Sequence, residues 1–115
     1  MNDKKQTQTL EKLKQEMRRG NIVLAAMSQL KTEQYGYSLL KTLNEKGYEV
    51  GQDTLYPLLR RLEDQQLLDS EWRVDGSRPR RYYVLNQAGL SLYEELKNAW
   101  SQEVEQIRSL LNETE

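Results

Sequence analysis

Apolar residues recur at steps of three and four along the first quarter of the chain, which is the spacing of one face of an α-helix. The stripe begins at Leu10, Leu13 and Met17 and continues to Leu30. It predicts one long helix over residues 8–31. Gly20 and Asn21 are poor helix formers in the middle of this stretch, so a kink or a new helix start there is an open alternative.

The same spacing predicts two shorter helices. The first covers residues 34–46, with Leu39, Leu40 and Leu43 facing inward and Gly47 ending it. The second has four leucines on its buried face: Leu55, Leu58, Leu59 and Leu62. Because proline is tolerated in the first helical turn, Pro57 limits the start of this helix to residues 52–54, with Asp53 or Thr54 as the predicted N-cap.

After Leu68 the hydrophobic period changes from helical to two, which is the period of a β-strand. Asp75 and Gly76 form a turn signal between this strand and a second alternating stretch, residues 80–85, so a β-hairpin is predicted. By alternation, Trp72 lies on the inner face of the hairpin and is expected in the core.

A last helix follows Asn86, its predicted N-cap, and carries one large apolar residue per turn. Three helices, a hairpin and a further helix are the order of a winged helix-turn-helix. The predicted fold is therefore mainly α with a small β-hairpin. Residues 1–86 form the winged domain with the N-terminal helix, and residues 87–115 form a dimerisation helix within the same structural unit.

Two apolar stripes have no partner within such a domain. They are Leu10, Leu13 and Met17 on the first helix, and Tyr93, Leu96, Trp100, Val104, Ile107 and Leu111 on the last. Leaving these side chains in water would cost many kcal/mol at about 25 cal/mol per Å². Pairing of two chains through their terminal helices removes that cost, so a homodimer is predicted.

Composition removes many classes of function. The 115 residues include no cysteine and no histidine, so disulfides, thiolate zinc sites, cysteine nucleophiles and histidine-based triads are excluded. We expect no cofactor and no enzymatic activity. No apolar run has the length of a membrane span or the character of a secretory signal, so a cytoplasmic protein without a membrane partner is expected.

The distribution of charge points to a polyanion despite a net charge of -1. On the side of the third helix opposite its leucines lie Tyr56, Pro57 and Arg60, with Thr54 and Arg61 on the flanks. A second cationic group, Arg78, Arg80 and Arg81, lies beside the hairpin turn. A winged helix-turn-helix inserts its third helix into the major groove, so these residues are predicted to bind double-stranded DNA.

Four stretches resemble the PadR-like transcriptional repressors of bacteria: RRGNIVLAAMSQL (18–30), YGYSLLKTL (35–43), DTLYPLLRRLEDQQLL (53–68) and GSRPRRYYVLNQAG (76–89). The resemblance covers residues 17–105. It implies a homodimeric repressor on a palindromic operator, joined through its last helices. Tyr56, Arg60 and the three hairpin arginines match the DNA-facing positions of the family. Pro79 is a departure that bears on the conformation of the hairpin.

The short C-terminus resembles the compact subgroup of that family, whose multidrug-sensing members place a tryptophan near the position of Trp100 at a central pore. Two indoles meeting across a dimer axis would form a slot for a planar aromatic effector. Two rival functions stay open: a winged-helix module that binds another protein without touching DNA, and a small-molecule sensor whose DNA role is secondary. Fluorescence of Trp100 and binding to random duplex separate them.

Overall fold

A computed structural model describes residues 3–113, apart from the side chain of Asp75. Within this range the chain forms α1 (Asp3–Arg19), α2 (Ile22–Ser28), β1 (Gln34–Tyr35), α3 (Gly36–Glu45), α4 (Gln52–Asp64), β2 (Leu68–Asp75), β3 (Arg78–Leu85) and α5 (Gln87–Leu111). The strands form one antiparallel sheet in the order β1-β3-β2. Among the helices of residues 3–113, none combines the length and the hydropathy that a transmembrane span requires.

The first helix is divided in two. The open alternative of a new helix start at Gly20 and Asn21 is confirmed, and the single helix over residues 8–31 is not formed: α1 starts earlier, at Asp3, and ends at Arg19, and α2 runs from Ile22 to Ser28. Gly20 and Asn21 have low helix propensity, and their turn is closed by a hydrogen bond from the Asn21 N–H to the Arg18 carbonyl at 2.9 Å. The Tyr48 hydroxyl donates to the same carbonyl at 2.8 Å. The end of α1 is therefore tied to the loop after α3.

The helix predicted over residues 34–46 starts two residues later, at Gly36, because Gln34 and Tyr35 pair with Tyr83 and Tyr82 of β3. The helix ends as predicted: Gly47 has φ 92°, a left-handed conformation that glycine adopts readily.

Helix α4 is capped by Gly51, and the predicted caps Asp53 and Thr54 lie inside the helix. The Gly51 carbonyl accepts the N–H of Thr54 at 3.1 Å. Pro57 consequently lies in the second turn, where it cannot donate to the Asp53 carbonyl. Asp53 and Pro57 are both exposed, so water can satisfy that carbonyl. The four predicted leucines of α4 are buried.

The predicted hairpin is confirmed, although β3 starts two residues earlier than predicted, at Arg78, and the two-residue turn is Gly76 and Ser77, with Gly76 at φ 72°. A positive φ suits the first central position of a type II′ turn. Pro79 stays within β3 opposite Val74, where β1 is too short to pair with it. Trp72 is 63% exposed, so its predicted place in the core is wrong. The hydrophobic core includes Leu68 and Leu85 at the base of the hairpin, and the part of the hairpin nearer the turn, with Trp72, extends past the core.

Asn86 joins three elements at the start of α5. Its side chain accepts the N–H of Gly89 at 2.8 Å, which confirms the predicted N-cap. The same carboxamide donates to the carbonyl of Gln66, just after α4, at 2.9 Å. It also approaches the carboxylate of Asp69 in β2, at 3.4 Å. The first turns of α5 are thereby fixed to the core, while its later turns expose their apolar side chains.

Candidate nucleic-acid interface

Helix α4 presents its non-leucine side to solvent. Thr54, Pro57, Arg60 and Arg61 are exposed, as a contact surface requires, whereas Tyr56 is half-buried. The ring of Tyr56 lies over Gly36, where an added Cβ would be 2.9 Å from the tyrosine Cε1. Glycine at the start of α3 therefore lets Tyr56 pack close to the neighbouring helix. Tyr56 consequently combines a packing role with its place on the α4 surface.

The hairpin arginines have different environments. Arg78 is exposed beside the turn, and the guanidinium of Arg80 lies 4.4 Å from the centre of the Tyr35 ring. Such stacking orients a guanidinium while leaving its charge in place. Arg73, directly opposite Arg80, is paired with Glu33 at 2.5 Å and Glu71 at 2.7 Å, so its charge is balanced within the chain.

Arg81 is engaged inside the chain. Its Nη2 lies 2.6 Å from a carboxylate oxygen of Glu63 in α4, and its Nε donates to the Ser70 hydroxyl at 3.1 Å. The Ser70 hydroxyl donates in turn to Glu63. This hydrogen bond, and after it the pairing with Arg81, holds the pKa of the Glu63 carboxyl below its usual value, although burial opposes them. Arg81 was predicted to face DNA, but its charge is balanced by Glu63. The ion pair between the two residues connects the hairpin to α4.

A cleft of about 320 Å³ brings the two predicted cationic groups together. Tyr56 and Arg60 line it from α4, and Arg80 and Arg81 line it from the hairpin. Thr54 lines a different cleft, of about 540 Å³, between the end of α1 and the start of α4. The cleft between α4 and the hairpin is also lined by Tyr37 and Trp72, which were not predicted as site residues. Their aromatic side chains are visible in the sequence, but their exposure is not, and periodicity places Trp72 in the core.

The predicted interface residues of the terminal helices are mostly accessible. Exposed among them are Leu10, Leu13, Met17, Leu96, Trp100, Ile107 and Leu111, and Val104 is half-buried. Tyr93 is the exception, because the core of its own chain leaves it 7% exposed. Its side chain therefore has little surface for a second chain. The stripe that a partner can reach begins one turn later, at Leu96.

Trp100 is 44% exposed and borders two neighbouring clefts of about 290 and 320 Å³. Leu24 of α2 lines both clefts with it. Glu103 adds a carboxylate to the smaller cleft, which otherwise has mainly apolar side chains. An apolar wall with an indole and one acidic group is suited to an aromatic cation.

Comparison with known proteins identifies the family. Residues 23–95 match the model of the "Transcriptional regulator PadR-like family". A PadR family transcriptional regulator from Eggerthella lenta is 40% identical in sequence and superposes with a TM-score of 0.89. The match includes 92% of this chain and 95% of that one. The transcriptional regulator Rv3488 of Mycobacterium tuberculosis is 43% identical over 67 residues, which span 58% of this chain and 63% of that protein.

Bacillus subtilis PadR, solved in complex with operator DNA, shares the fold with a TM-score of 0.61 at 20% identity, over 65% of this chain and 45% of that one. These structures confirm the predicted winged-helix fold class, mainly helical with a small hairpin. The family model spans more than half of the sequence and confirms the resemblance seen in it, so this chain belongs to the PadR-like family of transcriptional regulators.

Proposed function

We propose that this protein is a cytoplasmic, homodimeric repressor that binds a palindromic operator and blocks access of RNA polymerase. Each α4 enters a major groove with residues 54–61, and each hairpin reaches the adjacent minor groove. The observation that carries the proposal is the joining of both cationic groups, Arg60 from α4 and Arg80 from the hairpin, at one cleft. A single duplex can contact both.

The homodimer is supported by the surface of the terminal helices. Helix α1 contributes no buried residue, although Leu10, Leu13 and Met17 follow one side of it. Helix α5 exposes a second stripe after Tyr93. Burying such side chains contributes about 1.5–3 kcal/mol each, so pairing of the two stripes between copies stabilises a dimer substantially. Two-fold symmetry then places the α4 helices on half-sites about 34 Å apart.

Arg81 has a separate role in this proposal. Because Glu63 balances its charge, it positions the hairpin against α4 rather than adding a phosphate contact. Arg60 and Arg78 are then the cations proposed to neutralise phosphates, and Arg80 forms part of the hairpin side of the cleft. The salt dependence of DNA affinity distinguishes these two roles. An arginine that neutralises a phosphate releases counterions and so adds to that dependence, whereas an arginine paired within the chain does not.

Arg60→Ala and Arg78→Ala are each expected to weaken duplex binding and to lower the slope of log affinity against log salt by about 0.9 for each phosphate that is no longer neutralised. Arg60→Ala is also expected to relax sequence preference, because α4 reaches the base edges. Gel-shift titrations of an operator duplex and a random duplex over a series of salt concentrations measure both effects.

The matched control removes a balanced pair. In the double variant Glu63→Gln, Arg81→Gln no net charge changes, so the salt slope should stay at the wild-type value even where affinity falls. An unchanged slope for both Arg60→Ala and Arg78→Ala would contradict the phosphate contacts. Undetectable binding of the wild-type protein to any duplex at low salt would favour the protein-interaction module instead.

We further propose that a planar aromatic cation acts as an effector at Trp100. The support is the position of this indole between two clefts, one of which includes the Glu103 carboxylate. In a Trp72→Phe background, Trp100 is the remaining tryptophan of the two in the chain. Ethidium is expected to quench its fluorescence with saturation, and Glu103→Gln should weaken the binding several-fold. A linear, non-saturating decrease would contradict a site at Trp100.

A further inference from the structure

The cleft between α4 and the hairpin contains two aromatic side chains that neither the core nor the proposed cationic contacts explain. Trp72 in β2 is 63% exposed and Tyr37 in the first turn of α3 is 59% exposed. Both line the cleft of about 320 Å³, together with Tyr56 and Arg60. Large aromatic residues are costly to leave in water, so a shared cleft with two of them indicates a surface with an occupant.

Trp72 is held in a defined place although it is exposed. Its direct cross-strand partner is Arg81, whose guanidinium lies 5.7 Å from the centre of the indole ring. Arg81 is fixed in turn to Glu63 of α4 at 2.6 Å. The indole therefore lies against a group that bridges the hairpin and α4. An aromatic side chain supported in this way keeps its orientation without a place in the core.

The electrostatics of the cleft select for an anion. Arg60 and Arg80 contribute positive charge from its two sides, and none of the described side chains that line it is acidic. Glu63, the carboxylate of α4 that pairs with Arg81, is not among the residues that line the cleft. The tyrosine hydroxyls and the indole N–H add neutral donors, which suit phosphate oxygens and sugar.

We infer that this cleft holds one sugar-phosphate strand of duplex DNA, and that Tyr37 and Trp72 are contacts to it. The inference rests on the proposed function: with α4 in the major groove and the hairpin in the neighbouring minor groove, the strand that separates these grooves must pass between them. The indole N–H and the Tyr37 hydroxyl donate to phosphate oxygens, and the indole face packs on deoxyribose.

The test uses the full-length protein and a duplex that the wild-type protein selects from a random library. Trp72→Ala is expected to weaken binding by about tenfold or more. Tyr37→Phe, which keeps the ring and removes the hydroxyl, and Trp72→Phe, which replaces the indole and its N–H with a smaller phenyl ring, are expected to weaken it by several-fold. Tyr82→Phe is the matched control, since Tyr82 lies on the same strand as Arg81 but does not line the cleft, and binding should change by less than about twofold.

Replacing single phosphates of that duplex with neutral methylphosphonates identifies the partner of Trp72. At one position in each half-site, the replacement should weaken DNA binding by the wild-type protein by about tenfold. Binding by the Trp72→Phe variant should weaken much less, because that variant has no indole N–H to donate to the phosphate. Sedimentation and circular dichroism of each variant verify that the oligomer and the fold persist, as expected for exposed side chains.

Three outcomes overturn the inference. If Trp72→Ala and Tyr37→Phe bind like the wild type, the cleft is not a DNA contact, while the proposed repressor stands. If every phosphate replacement affects the wild-type and Trp72→Phe proteins equally, Trp72 contacts no phosphate. If the wild-type protein selects no duplex at all, the proposed function fails and the cleft loses its occupant with it.

Discussion

A protein carrying Leu96→Glu and Ile107→Glu is expected to sediment as single chains and to lose affinity for a palindromic duplex by roughly a thousandfold, because two linked half-site contacts become one. Both residues lie on one side of α5, three helical turns apart, and both are exposed in the single chain. Two carboxylates at this place would be buried against apolar side chains in the dimer, which strongly opposes association.

Sedimentation equilibrium at micromolar concentration and gel shifts with full and half operators measure the two effects. Affinity for an isolated half-site should change little, since α4 and the hairpin are untouched. The matched control is Asn98→Glu with Ser109→Glu, which adds the same charge to the opposite, exposed side of α5. A double variant of Leu96 and Ile107 that still sediments as a dimer would show that another surface joins the copies.

Gly89→Ala is expected to destabilise the fold by about 3 kcal/mol, because the alanine has no space. A Cβ at this position would lie 2.2 Å from the backbone oxygen of Leu67 and 2.9 Å from a methyl group of Leu85. A backbone atom cannot move aside as a flexible side chain can. The loss should lower Tm by roughly 10 °C at fixed protein concentration, measured by circular dichroism or calorimetry.

Gly20→Ala provides the same substitution where space is open, since no atom lies within 4 Å of its added Cβ. Its Tm should stay within a few degrees of the wild type. Equal stability of the Gly89→Ala and wild-type proteins would mean that α5 does not start as close to Leu67 as the structure places it.

The order of the elements was predictable because the hydrophobic period distinguishes helices from strands and indicates which side of each is buried. The four leucines of α4 that the period assigned to the core are buried there. The two-residue strand β1 was not predictable, since Gln34 and Tyr35 are extended only through pairing with residues almost fifty positions later in the chain. The start of α4 at Gln52 lies within the predicted range of 52–54, but its N-cap was missed because Gly51 offers no side chain that a capping pattern could detect.

For the candidate site, the sequence located the cationic groups but not their internal partners. Arg81 and Arg80 are neighbours with the same side chain, and only the fold brings Glu63 to one of them. Alternation also assigned Trp72 to the correct side of β2, the side of Arg81, but it could not tell that the core ends before that level of the hairpin. Periodicity gives the direction of a side chain, whereas its burial depends on the length of the neighbouring elements.

The single carboxamide of Asn86 contacts the start of α5, the segment after α4 and the carboxylate of β2. In a dimer joined through α5, a tilt of that helix either breaks these hydrogen bonds or turns the end of α4 with it. If α5 joins two copies, the angle between the copies and the distance between their α4 helices are therefore coupled through the Asn86 side chain.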